Sequence, residues 1–258
     1  MKTNLYWIAY STLVRREVTR FTRIWVQTLI PPVITMSLYF LIFGGLIGSR
    51  IGSMGGHHYM SFVVPGLIMM AVINNSYANV SSSFFGAKFN NSIEEMLVSP
   101  CPNIIILLGF VSGGVLRGMI VGLFVTVLAS IFADLPFHSI PLTMLVVILS
   151  AMLFSVAGFI NAVYANSFDD ISMVPTFVLT PLTYLGGVFY TIDMLPHFWR
   201  AVSQFNPILY MVSTFRYGIL GGQPDVPIGY AVAGICLLLL ALVALALYLM
   251  SHSHRLRK

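Results

Sequence analysis

The sequence predicts an all-α membrane protein, and three observations carry that prediction. Of its 258 residues, 58% are hydrophobic and only 8% charged, against about 25% charged in an ordinary soluble domain. The apolar residues gather in runs of about 20 with few charges inside, the length an α-helix needs to cross ~30 Å of hydrocarbon. The sequence does not read as the short alternating segments of a transmembrane barrel. Six transmembrane helices are expected, at residues 24 to 48, 61 to 84, 106 to 132, 141 to 164, 171 to 190 and 228 to 250. A net charge of +5 in so apolar a chain is a topology signal rather than a nucleic-acid footprint, so no nucleic-acid partner is expected.

Residues 1 to 23 lack the apolar core and cleavage site of a signal peptide and are expected to stay on the mature protein. Leu5, Tyr6, Ile8 and Leu13 beside a basic stretch suit an N-terminal amphipathic interface helix, although a plain topology anchor accounts for the charges equally well. Residues 24 to 258 then form one transmembrane domain, with no linker or repeat dividing it. The expected first, second and fifth spans contain or adjoin Pro31, Pro32, Pro65, Pro175 and Pro181, each of which removes a backbone donor and tends to kink its helix.

In the second span, Asn75, Asn79 and Ser83 fall at i, i+4 and i+8 and share one face. Amides are costly in lipid, so that face looks either at neighbouring helices, as polar glue, or at a polar cavity. The loop at residues 85 to 105 carries the adjacent carboxylates Glu94 and Glu95. The third span repeats small residues at Gly109, Gly113, Gly114, Gly118 and Gly122, which marks a close helix-packing seam within one subunit or between two. Arg117 lies in the same run, an intramembrane charge that must snorkel, pair or face water.

Residues 191 to 227 are too short in their apolar part to cross, and they hold Arg216. They are expected to form two short re-entrant helices joined near Asn206-Pro207. The leading segment carries Lys2, Arg15, Arg16, Arg20 and Arg23, the tail Arg255, Arg257 and Lys258, and the 85 to 105 loop Lys88. The opposite loops hold only Arg50, Arg200 and Arg216, so both termini and Glu94–Glu95 are expected on the cytoplasmic side.

No metal site is expected. Cys101 and Cys236 form no CxxC pair, and the six histidines show no ligand spacing. The only lysines, Lys2, Lys88 and Lys258, are not preceded by glycine, so the chain has no phosphate-binding P-loop and any ATP-driven work must come from a partner.

Two stretches resemble the ABC-2 family of permeases, the membrane subunits of one type of ABC exporter. IEEMLVSPCP is similar to that family's loop between the second and third spans. PLTYLGGVFYTIDMLPHFWRAVSQFNPILYMVSTFRYGILGG is similar to its signature around the last two helices. The resemblance covers nearly the whole chain. It implies an ABC-2 type transmembrane domain in a bacterial inner membrane, working as a homodimer among membrane lipids with two copies of a separate ATPase subunit that binds ATP and Mg.

By the same resemblance, residues 86 to 99 form the coupling helix, with Glu94, Glu95, Met96 and Leu97 at the ATPase and Arg15, Arg16 and Glu17 as a second contact. Asn75, Asn79, Thr180 and Thr183 are the candidate lining of the translocation cavity, the threonines having the alternative of bonding to their own helix carbonyls. The implied cargo class is a lipid-linked, glycan or drug-like molecule moved outward. A gradient-driven transporter would need an embedded Asp, Glu or His, and none falls clearly inside a span; Asp169 and Asp170 sit in the short inner turn before the fifth helix, so that reading depends on where the boundary falls. A non-transporting scaffold for an ATPase is the third reading.

Overall fold

The computed structural model describes residues 2–224 and 226–252. His254, Arg255, Arg257 and Lys258 of the expected basic tail lie outside the described residues. A first helix, α1 (Lys2–Arg23), turns at Ile24 into α2 (Trp25–Tyr39). That helix keeps Pro31 and Pro32 inside it, widens into a π-helical stretch (Phe40–Ile47) and ends in the short α3 (Gly48–Ile51).

A small hairpin follows, β1 (Ser53–Met54) paired with β2 (His57–His58). Its two-residue loop is Gly55-Gly56, both with positive φ, as a tight loop matched to strand twist requires. This hairpin was not expected from the sequence, because four residues of strand leave no periodic signal.

Next come α4 (Tyr59–Phe89), α5 (Ser92–Val98), α6 (Asn103–Ala129) and α7 (Ile140–Tyr164). The chain continues through α8 (Phe168–Val174), a π turn (Pro175–Leu179) and α9 (Thr180–Leu185), then α10 (His197–Gln204), α11 (Pro207–Leu220) and α12 (Ile228–His252). Among the described residues, five helices are long and apolar enough to cross a membrane: Trp25–Gly44, α4, α6, α7 and α12. The expected fifth span is a rod of α8, π turn and α9 that ends at Leu185 rather than near residue 190. Pro175 and Pro181 interrupt its hydrogen bonding, and Gly187, at φ 70°, turns the chain away.

Helix α4 is the axle of the bundle. Its 31 residues extend about 46 Å, longer than the hydrocarbon layer, and α6, α7 and α11 pack around it. Phe84 of α4 stacks 4.1 Å from Phe159 of α7 and 5.3 Å from Phe110 of α6. The glycine seam lies within the subunit. A methyl group at Gly109 would stand 2.7 Å from Leu13 Cβ, and one at Gly113 would stand 2.6 Å from Glu17 Cβ. Gly114 and Gly118 press on Ser155 and Ser76 in the same way. Small residues therefore let α1 and α4 approach the α6 backbone from two sides.

At the hairpin end, Arg216 of α11 is only 8% exposed. Its guanidinium donates to the carbonyls of Phe62 (3.0 Å) and Gly187 (2.7 Å) and lies 3.7 Å from the Phe62 ring centroid. It pins α4, α11 and the turn after α9 together. Asn206, at the expected junction of the two short helices, accepts from Ile208 N and donates to Leu182 O at 2.6 Å.

Gly114→Val and Gly118→Val should each destabilise the purified protein by about 1–3 kcal/mol, lowering its thermal aggregation midpoint by roughly 5 °C. Gly234→Ala, where nothing lies within 4 Å, should leave the midpoint unchanged. Equal midpoints for all three variants would remove the seam from the packing account.

Candidate functional site

Two features concentrate the chemistry-bearing residues at one end of the bundle. The first is an interior polar cluster where α1, α4 and α6 meet. Leu13 meets Gly109 and Glu17 meets Gly113, equal steps along both helices, so α1 runs parallel to the first half of α6. This register carries Glu17 inside, where it is 1% exposed.

The carboxylate is fully engaged there. Glu17 Oε1 accepts from Ser83 Oγ at 2.7 Å and from Arg16 Nη2 at 3.4 Å, and Oε2 accepts from Arg20 Nη2 at 3.3 Å. Arg20 also donates to Asn79 Oδ1 (2.8 Å) and to the Asn79 carbonyl (3.0 Å). One turn along α4, Asn75 Oδ1 accepts from Arg117 Nη2 at 3.3 Å, while Asn75 Nδ2 donates to Ala71 O at 2.9 Å. Arg16 further lies 5.3 Å from the Phe110 ring centroid.

The shared face of Asn75, Asn79 and Ser83 is thus real, and it is the glue face. Asn75 and Asn79 are packed among helices rather than lining an open cavity, which corrects the expectation for both. Glu17 likewise cannot present its carboxylate to a docking partner, because the Gly113 contact draws it between α1 and α6. Arg117 finds its partner in Asn75. Thr180 is exposed and donates to Pro175 O, and Thr183 is buried and donates to Thr180 O, so both bond within their own rod and stand apart from the asparagines.

The less buried face of α4 is a different one. Met70, Asn74, Ala78 and Ser82, at i+4 steps, are the positions left partly or fully exposed between residues 62 and 85. Sequence reading missed Asn74 and Ser82 because the stretch NNSYANVSSS is polar on several faces at once. The discriminating signal is the glycine and serine pairing of Gly114 and Gly118 with Ser76, which fixes the rotation of α4.

The second feature is α5. It covers only residues 92 to 98 of the expected 86 to 99, because α4 continues to Phe89 and Asn91 turns the chain in the left-handed region (φ 57°) that asparagine tolerates. Pro100 holds Ser99 extended and closes the helix. Ile93 is buried, and Met96 and Leu97 pack partly against the core, while Glu94 is half-buried and Glu95 faces out. The sequence expectation overlooked Val98, 87% exposed on the outer side, and the ring pair Phe89 and Phe168, 5.5 Å apart and both exposed. Arg15 is exposed on α1.

Burial raises the thiol pKa of Cys101, between α5 and α6, above its ordinary range, so it stays protonated near neutral pH. A cavity of about 390 Å³ lies between α4, α6, α7 and α11, walled by apolar groups such as Val72, Leu123 and Phe215, and includes none of the predicted site residues.

The family model described as ABC-2 type transporter matches residues 8–220. The chain is 60% identical over 225 residues to the inner membrane transport permease YadH of Escherichia coli (strain K12), covering 87% of this chain and 88% of that one. It is 22% identical over 235 residues to nodulation protein J of Rhizobium leguminosarum bv. trifolii (91% and 88% of the two chains) and 20% identical over 231 residues to nodulation protein J of Rhizobium meliloti (strain 1021), covering 89% and 87%. With the family model matching residues 8–220 and a relative 60% identical over most of both chains, the chain belongs to the ABC-2 type transporter family.

Proposed function

We propose that the chain is the membrane subunit of an ATP-driven exporter in a bacterial inner membrane, acting as a homodimer with two copies of a separate ATPase that holds ATP and Mg. Family membership supports the assignment, and the geometry of α5 carries it furthest. A seven-residue helix anchored by Ile93 at the foot of α4 presents Glu95 and Val98 outward, as a docking element must. Both termini and α5 then lie in the cytoplasm, in keeping with the basic residues of α1 and Lys88. The α8–α9 rod is the sixth crossing, and α10 and α11 are re-entrant from the outer face.

The chain catalyses nothing in this scheme. The ATPase favours one transmembrane arrangement over another through its differential grip on α5, since only differential affinity shifts a two-state equilibrium. Asn74 and Ser82 on the open stripe of α4, with Thr176 and Thr180 exposed on the rod, are the polar groups available to line a path between two copies. The cargo class is an amphiphile such as a lipid-linked, glycan or drug-like molecule. A gradient-driven mechanism has less support, because Asp170 is an exposed cap that accepts from the backbone N–H groups of Asn166 and Ser167 at the start of α8.

Val98→Asp should reduce copurification of the cognate ATPase about tenfold by placing a charge in the centre of the contact. Glu94→Lys with Glu95→Lys should weaken it less and alter its salt dependence. An unchanged complex in both would take α5 out of the docking account.

In a background with Cys101 and Cys236 replaced by serine, cysteines at Asn74 and Ser82 should change their labelling rate with a water-soluble maleimide between nucleotide-free and ATP-bound states. Cysteines at Asn75 and Asn79 should stay protected throughout. Uniform protection at all four positions would exclude the α4 stripe from the path.

A further inference from the structure

The polar cluster holds more positive charge than it can neutralise from within. Arg16 and Arg20 share the single carboxylate of Glu17 while Arg117 is held by the neutral Asn75, so three guanidiniums face one carboxylate, a surplus of two positive charges. Arg20 and Arg117 are held by asparagines one turn apart on α4, Asn79 and Asn75. Asn75 and Asn79 supply dipoles and no charge. Among the described residues, Asn79 Nδ2 and Arg117 Nε are buried donors without a hydrogen-bond partner. Water could satisfy the donors, but only an anion offsets the charge.

The surroundings say what kind of anion. The side chains of Arg16 and Arg20 remain 42% and 32% exposed, so the cluster is reachable from its rim. Trp25 stands exposed at the start of α2, a turn or so beyond Arg20, and exposed indoles sit at the headgroup level of a bilayer. Exposed Val26, Ile30 and Ile34 along α2 suit acyl chains below that level.

We infer that Arg16, Arg20 and Arg117 bind the phosphate headgroup of an anionic phospholipid, which completes the charge balance where α1, α4 and α6 meet. The phosphodiester oxygens accept from the guanidiniums, and the glycerol and acyl chains follow the exposed apolar surface of α2. This site stands apart from the transport reading, since none of its groups belongs to α5 or to the open stripe of α4.

The test uses the full chain in non-ionic detergent, exposed to equal amounts of phosphatidylglycerol and phosphatidylcholine with matched acyl chains, and native mass spectrometry of the lipid retained. Wild type should retain phosphatidylglycerol over phosphatidylcholine by about tenfold. Arg117→Gln and Arg16→Gln should bring the ratio toward one. If Arg117→Gln does not yield a monodisperse protein, Arg16→Gln at the rim decides the matter. Equal retention by wild type, or a preference unchanged in the variants, overturns the assignment. Displacement of the lipid by millimolar inorganic phosphate would make this a soluble-anion site, and its displacement by the ATPase would give the arginines to the protein partner; either result contradicts the lipid headgroup.

Discussion

Burying one carboxylate dictates where three helices stand. Glu17 can sit between α1, α4 and α6 only because its oxygens are engaged: Arg16 and Arg20 travel with it on α1, while Ser83 of α4 reaches it, and Arg20 reaches Asn79, only in one register. Leaving the buried carboxylate without its Ser83 hydrogen bond costs about 1–3 kcal/mol, so slippage of α1 against α4 and α6 is opposed. The glycines at 109 and 113 are the steric half of the same arrangement, since any larger residue would lift α1 away. The polar cluster is therefore a registration device. Such a device is wanted in lipid, where apolar helices have little other reason to choose one rotation over another.

From that fixed frame follows a division of the molecule into a held part and a freer part. Helices α1, α4 and α6 are joined by hydrogen bonds from Arg20, Arg117 and Ser83 and by glycine contacts, and Arg216 fastens α11 and the turn after α9 to the hairpin end of α4. The α8–α9 rod, by contrast, is exposed along most of its length and broken by two prolines. In the proposed mechanism a push on α5 enters the held part directly, because α5 is anchored by Ile93 at the foot of α4. The open stripe of α4 would then move relative to the rod, which is where a path between two copies has room to change shape.

Much of this was legible in the sequence, for physical reasons that also explain the failures. Long apolar runs locate the spans because length and hydropathy are read residue by residue, and the Asn206-Pro207 junction is visible as a cap followed by a helix-starting proline. The i, i+4, i+8 spacing places Asn75, Asn79 and Ser83 on one face correctly. Whether that face looked at a cavity or at α1 and α6 depended on partners from residues 17, 20 and 117, remote in sequence, which no local pattern reveals. Glu17 was misjudged for the same reason: a lone acid in a basic helix reads as surface until Gly113 is seen opposite it. Val98 was overlooked because the exposure of one apolar residue on a short helix is set by where Ile93 anchors it.

The central claim is that α1, α4 and α6 move as one block when the proposed ATPase changes state. Spin-label distances measured in the reconstituted complex test it most directly, with one pair joining Thr19 on α1 to Ser82 on α4 and another joining Ser82 to Thr176 on the rod. The account predicts that the α1–α4 distance stays constant between nucleotide-free and ATP-bound forms while the α4–rod distance changes. A shift in the α1–α4 distance, with the rod fixed on α4, would contradict it.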